Sequence, residues 1–317
     1  MNIQNLLLSR LILALFTLLA VSALIFIGTE LLPGDVASAI LGQSATPEAL
    51  AAIRQDLGLN RPVTTRYLEW LVNFTSGDMG KSLANDLEIS AVLPYKLANT
   101  MFLALYAAAI AVPLSLFLGL ISAIKQGTWI DKSTSIISLF SISLPEFLVG
   151  YILVYFFSVS LGWMPSMAIL SDGMTFAEKL YILVLPVTTL VVTVLAHMTR
   201  MTRIAVINIL SQPYIEMAYL NGIPRNRVVL LHALPNAIAP IASVIALNLA
   251  YLISGVMVVE VVFVYSGMGQ LMIDSVSKRD LPMVQACAMI FAVVYIVLNL
   301  IADLFAILSN PRIRHPK

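Results

Sequence analysis

Six apolar stretches, at 11–28, 100–124, 133–161, 180–198, 237–259 and 281–302, constrain this chain more than any other feature. Each is long enough to cross a hydrocarbon core of roughly 30 Å, which takes about 20 residues of α-helix. Lipid offers backbone groups no hydrogen-bond partner, so runs of this length must be helices, which satisfy their own backbone. With 60% hydrophobic and 11% charged residues among 317, the chain is too apolar for a soluble domain. A net charge of +1, from 18 basic and 17 acidic residues, lacks the concentrated basic excess of a nucleic-acid binder. The single cysteine, Cys287, lies within an apolar run; it gives neither a disulfide framework nor a thiolate metal site and reads as a buried structural thiol. The first run follows Arg10, is uncharged for 18 residues and has no small-x-small cleavage pattern after it. It reads as helix one, not as a signal peptide.

Between the first two runs, 32–99 is polar and carries the turn signatures Pro33-Gly34-Asp35, Leu57-Gly58-Leu59-Asn60-Arg61-Pro62 and Gly77-Asp78-Met79-Gly80. Thr46 is placed to cap a helix that begins at Pro47, and a second helix is expected over 64–74. Six spans put both termini on one side, and Lys and Arg collect in short cytoplasmic loops. Arg10, Lys125, Lys132, Arg200, Arg203, Arg225, Arg227, Arg312, Arg314 and Lys317 share the face of the termini, against Lys179, Lys278 and Arg279 opposite. The fold class expected is therefore an all-α integral membrane protein with both termini cytoplasmic. Its parts are an N-terminal transmembrane helix (1–31), an extracytoplasmic cap (32–99), a five-helix core (100–309) containing a cytoplasmic loop at 206–236, and a cytoplasmic tail (310–317). Pro113 and Pro145 lie within spans and predict kinks there.

The loop at 206–236 holds a short helix with a sharp start and stop. Pro213 suits the first helical position, where its missing N–H is no loss. Gly222 is free to adopt the left-handed conformation that ends a helix, and Pro224 cannot continue it. About nine residues are enclosed, spanning about 14 Å, too few to be stable alone in water. The spacing places Tyr214, Met217, Ala218 and Asn221 on one side, with Ile215 and Tyr219 on another. A helix apolar on two sides packs on its own bundle with one and meets a second protein with the other.

No catalytic centre is visible. Thr75-Ser76-Gly77-Asp78-Met79-Gly80-Lys81-Ser82 has Thr where a phosphate-binding loop needs its leading Gly, and it falls on the outer side. His197, His232 and His315 form no ligand set, so no metal site is expected. Gly-x-Ser-x-Gly is missing. Glu146, beside Pro145 inside the third run, is a costly intramembrane acid. Counted from Ser133 at about 1.5 Å per residue it lies about 20 Å deep. Two readings are open for it: a group lining a translocation path, or a carboxyl that locks a kink. Asp303 is expected to pair with a basic residue and act as an anchor. Glu260, at the outer end of the fifth run, fits either an ordinary helix-end turn or a gate or receptor contact.

The pattern Glu216-Met217-Ala218, three residues, Gly222, then Leu234-Pro235 resembles the EAA motif of ATP-binding-cassette importer permeases, with Met217 in place of the first Ala and His232 in place of an Ile. Leu31-Leu32-Pro33-Gly34-Asp35, Leu57-Gly58-Leu59, Gly77-Asp78-Met79-Gly80-Lys81-Ser82, Val259-Glu260-Val261-Val262-Phe263 and Asn310-Pro311-Arg312-Ile313-Arg314 are similar, in order, to signposts of the oligopeptide and dipeptide permeases, a family that also handles nickel complexes and opines. The resemblance implies a type I permease fold in a bacterial inner membrane. It further implies a complex with a second homologous permease, two cytoplasmic ATP-binding subunits that use the ATP, and an extracytoplasmic substrate-binding protein. The helix of Glu216, Met217, Ala218 and Gly222, with Leu234 and Pro235 after it, would be the element coupling to the ATPase. No cofactor would be bound by this chain itself. Two rival classes are a secondary transporter or channel, which would show internal inverted repeats, broken helices or a coupling-ion carboxylate set, and an intramembrane hydrolase, which would need a nucleophile and base on facing helices.

Overall fold

The computed structural model describes residues 3–31, 46–56, 58, 60–171 and 173–309. The turn at Pro33-Gly34-Asp35, the residues Leu57 and Leu59, and the tail at 310–317 lie outside the described residues. In chain order the helices are α1 (Ile3–Glu30), α2 (Pro47–Asp56), α3 (Val63–Ser76), α4 (Ile89–Ile124), α5 (Trp129–Ser143), α6 (Glu146–Leu153), α7 (Phe176–Ile182), α8 (Val184–Leu210), α9 (Pro213–Leu220), α10 (Arg225–Val228), α11 (Leu234–Val262), α12 (Met268–Ser277) and α13 (Leu281–Ser309). π-helical turns extend α6 through Val154–Ser160 and join α10 to α11 through Val229–Ala233.

Among the described residues, α1, α4, α8, α11 and α13 are each long and apolar enough to cross a membrane. The stretch 133–161 is not one kinked rod. It is a pair of short helices, α5 and α6 with its π-helical extension, bent by 101°. The cause is local: proline disfavours the helical region for the residue before it, and Leu144 is extended at φ −92° and ψ 130°. Residue counting through such a corner does not measure depth, so the 20 Å figure for Glu146 does not carry over. At Pro113, where a kink was also expected, α4 continues without a break.

The chain forms two compact units. One comprises Met1–Ile12, Met101–Tyr265 and Val297–Lys317. Its centre is α8, which buries Leu185, Val187, Leu190, Val194 and Met198. Two glycines let neighbouring helices close on one another. A Cβ on Gly119 of α4 would stand 2.7 Å from Thr202 Cβ and 2.9 Å from the Thr199 carbonyl oxygen of α8. One on Gly150 of α6 would stand 3.1 Å from Val262 Cγ1 of α11. In this same unit Arg10 Nη1 donates to Asp303 Oδ2 at 2.9 Å, so the basic partner expected for Asp303 is on α1.

The second unit comprises Leu13–Thr100 and Ser266–Ile296. The cap helix expected over 64–74 is α3, and its aromatic face packs on α1, with the ring centroids of Phe26 and Tyr67 5.6 Å apart. Arg66 grips Glu30 with both Nη atoms, at 2.7 and 2.6 Å. Gly77 ends α3 at φ 88°. The turn after it is a structural latch. Ser82 Oγ donates to Asp280 Oδ2, and Leu83 N donates to Asp280 Oδ1 at 3.1 Å. The same Oδ1 accepts Met283 N in the first turn of α13 at 3.4 Å. The hydroxyl that a phosphate-binding loop would offer to a metal is buried and engaged elsewhere. Ile89, Leu93, Met268, Met283, Ala286 and Cys287 form the core beside this latch, so Cys287 is the buried thiol expected.

Asp280 thus serves one helix start and one loop at once. Asp280→Ala is expected to destabilise the purified protein by about 2 kcal/mol, the sum of a lost cap and stranded buried donors. Thermal unfolding checks this, with Lys81→Ala leaving the midpoint unchanged; an unshifted Asp280→Ala would show that the latch carries no stability.

Candidate functional site

The loop at 206–236 folds as its prolines and glycine dictate. Gln212 is extended at φ −79° and ψ 145°, and Pro213 opens α9. Gly222 takes φ 77°. Its N–H donates to Tyr219 O at 2.9 Å and that of Ile223 to Ala218 O at 3.3 Å. These two bonds are the Schellman pattern, which satisfies the last carbonyls of a helix and needs a left-handed residue at the position of Gly222.

Ile215, Ala218, Val228 and Ala233 are buried together, with Ile209, Leu210 and Ile223 packed against them. Ile209 and Leu210 also pack on a second cluster of Ala123, Val206 and Ala237, which joins the ends of α4, α8 and α11. Ala218 therefore belongs with Ile215, three residues before it, and not on the side of Tyr214 and Met217 where the spacing placed it. Three- and four-residue spacings both link it to neighbours, and only packing chooses between them. The outward face is Tyr214, Met217 and Leu220, at 45, 58 and 75% exposure. Glu216 is exposed in the first turn, where the helix dipole favours an acid.

Leu234 and Pro235 open α11. Pro235 has no N–H to give, and the ladder just before it widens to π spacing over Val229–Ala233. The carbonyl of His232, the position departing from the EAA pattern, accepts Asn236 Nδ2 at 2.7 Å.

Sequence reasoning missed the ion pair that braces this region. Arg203 of α8 donates through Nε and Nη2 to the two oxygens of Asp131, at 2.5 and 2.8 Å. Asp131 also accepts Ser122 Oγ at 2.6 Å and Gly127 N at 2.9 Å. The turn between α4 and α5 is thereby fastened to α8. Arg203 had entered only as one basic residue in a loop count. Its partner lies 72 positions away, beyond any local pattern.

Glu146 stands in the first turn of α6, and its carboxylate lies against Gly255 of α11. A Cβ at position 255 would be 2.8 Å from each carboxylate oxygen. Glu260 is fully buried near the end of α11, and its carbonyl accepts Tyr265 N at 2.8 Å in a helix-closing turn. Among the described residues no group of acids, histidines and cysteine is placed to hold a metal ion.

The Asp131–Arg203 pair gives a measurable consequence. Asp131 is 6% exposed, so Arg203→Gln should cost about 3 kcal/mol by leaving its carboxylate without a countercharge. Adding Asp131→Asn should recover most of that loss. A double-mutant cycle by thermal unfolding checks it; independent, additive effects would refute the coupling.

Residues 115–315 match the family model of the binding-protein-dependent transport system inner membrane component, and residues 3–100 match the N-terminal model of such membrane components. A probable peptide ABC transporter permease protein, y4tP of Sinorhizobium fredii, is 33% identical over 97% of this chain and 98% of its own length. The glutathione transport system permease protein GsiC of Pectobacterium atrosepticum is 33% identical over 98% of this chain and 99% of its own. The crystal structure of an amino acid ABC transporter with histidines shares the fold, with a TM-score of 0.56 at 18% identity over 68% of this chain and 94% of that one. The chain accordingly belongs to the binding-protein-dependent transport system inner membrane components and is a non-catalytic, multi-pass permease subunit of an ATP-binding-cassette importer.

Proposed function

We propose that this subunit forms half of the translocation path for peptides or closely related small solutes and is driven through α9. The observation that carries this is the two-sided character of α9. One face is rooted in a buried apolar cluster; the other presents Tyr214, Met217 and Leu220 to a partner. Glu216, Met217, Ala218, Gly222, Leu234 and Pro235 make up the coupling element, with Ala218 acting from the buried side. The complex comprises a second homologous permease, two cytoplasmic ATP-binding subunits that consume the ATP, and an extracytoplasmic binding protein. Both termini and α9 face the cytoplasm, in keeping with the basic residues of the short loops. The cargo follows from the relatives named for peptide and glutathione transport, since glutathione is itself a short peptide.

A side chain at φ 77° is strained by roughly 1 kcal/mol, and more when β-branched. Gly222→Val should therefore displace the end of α9, and Glu216→Lys should oppose its dipole. Both variants are expected to insert normally, abolish ATP-dependent uptake in vesicles and co-purify less of the ATP-binding subunits. Normal uptake in both would remove α9 from the coupling role.

Glu146 is assigned to the path, at the corner between α5 and α6 and against Gly255. Glu146→Gln keeps the size of the side chain and removes its charge. Transport of cationic peptides should fall more than that of neutral ones, with assembly intact. Equal loss for both, or loss of the protein, would make Glu146 a structural residue only.

A further inference from the structure

The middle of α5 and the C-terminal half of α8 border an open cleft of about 250 Å³. Each helix lines it with residues at the same three-and-four spacing: Ser135, Ser138 and Leu139 from α5, and Arg200, Arg203 and Ile204 from α8. No acidic residue is part of the lining. Arg203 is engaged by Asp131 through Nε and Nη2, which leaves its Nη1 outside that pair. Arg200 is exposed, and among the described residues it has no carboxylate partner. The cleft therefore combines one uncompensated guanidinium with small hydroxyl donors, the chemistry that holds a single anionic phosphate.

Its depth and rim say what kind of phosphate. Arg200 and Arg203 come directly after the apolar run 180–198, and Trp129 at the start of α5 is 75% exposed, as an amphipathic ring at headgroup level would be. Leu139 and Ile204 are 50 and 45% exposed at the cleft, an apolar border that an acyl chain can cover and a free ion cannot. Basic pockets between membrane helices are a recognised form of anionic lipid site. We propose that this cleft binds the phosphodiester headgroup of an anionic phospholipid, with Arg200 as the charged contact and Ser135 and Ser138 as donors. Placing it in the cytoplasmic leaflet rests on the orientation proposed above; the binding itself does not.

Native mass spectrometry of the full-length, delipidated protein tests this with added phosphatidylglycerol, phosphatidylethanolamine or inorganic phosphate. The wild type should retain phosphatidylglycerol in preference to phosphatidylethanolamine. Arg200→Gln should lower that retention about fivefold, the scale of one basic residue at an anionic surface. Arg200→Lys should keep most of it, Ser138→Val should reduce it, and Arg227→Gln should leave it unchanged. Equal retention of the two lipids would overturn the proposal, as would equal effects of Arg200→Gln and Arg227→Gln. Displacement of the lipid by millimolar inorganic phosphate would overturn the lipid assignment in favour of a free anion. Uptake is not read in this measurement, so a failure here is separate from a failure of the coupling role of α9.

Discussion

A bilayer offers no water to a backbone amide or carbonyl left without a partner, and the irregular points of this chain are arranged around that fact. Pro145 cannot donate, and Leu144 before it is forced out of the helical region. The break is closed from both sides: Leu144 N bonds Ser141 O at 3.3 Å, and the N–H groups of Leu148 and Val149 bond Pro145 O at 3.0 and 3.2 Å. Just outside the apolar run, at Pro235, a π-helical turn leads into α11 and the Asn236 side chain donates to His232 O. At the end of α11 the closing motif resembles that of α9, but Val264 occupies the left-handed position at φ 53°. A β-branched residue there is strained by roughly 1–2 kcal/mol. The bond from Tyr265 N to Glu260 O and the complete burial of Phe263 and Tyr265 hold it in place.

The same constraint governs charge. A charge taken out of water beside an apolar helix is expensive, so the acids and bases at the edges of the apolar runs find each other. Asp131 and Arg203 meet in a bidentate pair whose remaining valences go to Ser122 and Gly127. Arg10 and Asp303 are more open, at 46 and 41% exposure, and in water such a pair would contribute little. It joins α1 to α13 and neutralises both charges at the edge of their apolar runs. Glu146 differs, since what it meets is the bare backbone of Gly255. That contrast motivates the proposal of a transport role for Glu146, whereas the paired acids brace the structure.

Legibility in the sequence followed the range of the physics involved. The membrane helices were readable because an apolar run of that length has one solution in lipid. Helix α9 was readable to within a residue or so because Pro213 and Gly222 act on their own dihedrals. The corner at Pro145 was read as a kink because a proline alone does not reveal how far a helix swings once its ladder is broken. Ala218 was placed on the wrong face because a helix surface offers it neighbours at both three and four residues. The Asp131–Arg203 pair left no local signal, since an ion pair between distant helices exists only after they have packed.

The packing of α9 also decides which element must carry a push delivered to it. Eight residues of helix have no stability of their own, so α9 keeps its shape only while Ile215 and Ala218 stay seated against Ile209 and Leu210. Those two residues are the last turn of α8. A partner that moves α9 without melting it therefore moves the end of α8. Nor can α8 shift alone at that end, because Arg203 ties it to the turn between α4 and α5 and Gly119 holds α4 against Thr199 and Thr202 with no room for a side chain. The ends of α4, α8 and α9 thus form one mechanical unit. The corner at Leu144 and Pro145 lies beyond it, at the far end of α5 from the Asp131 tie and beside the Glu146 carboxylate. The elements packed between α9 and the corner beside Glu146 are α8 and α5, and the buried ion pair ties those two together.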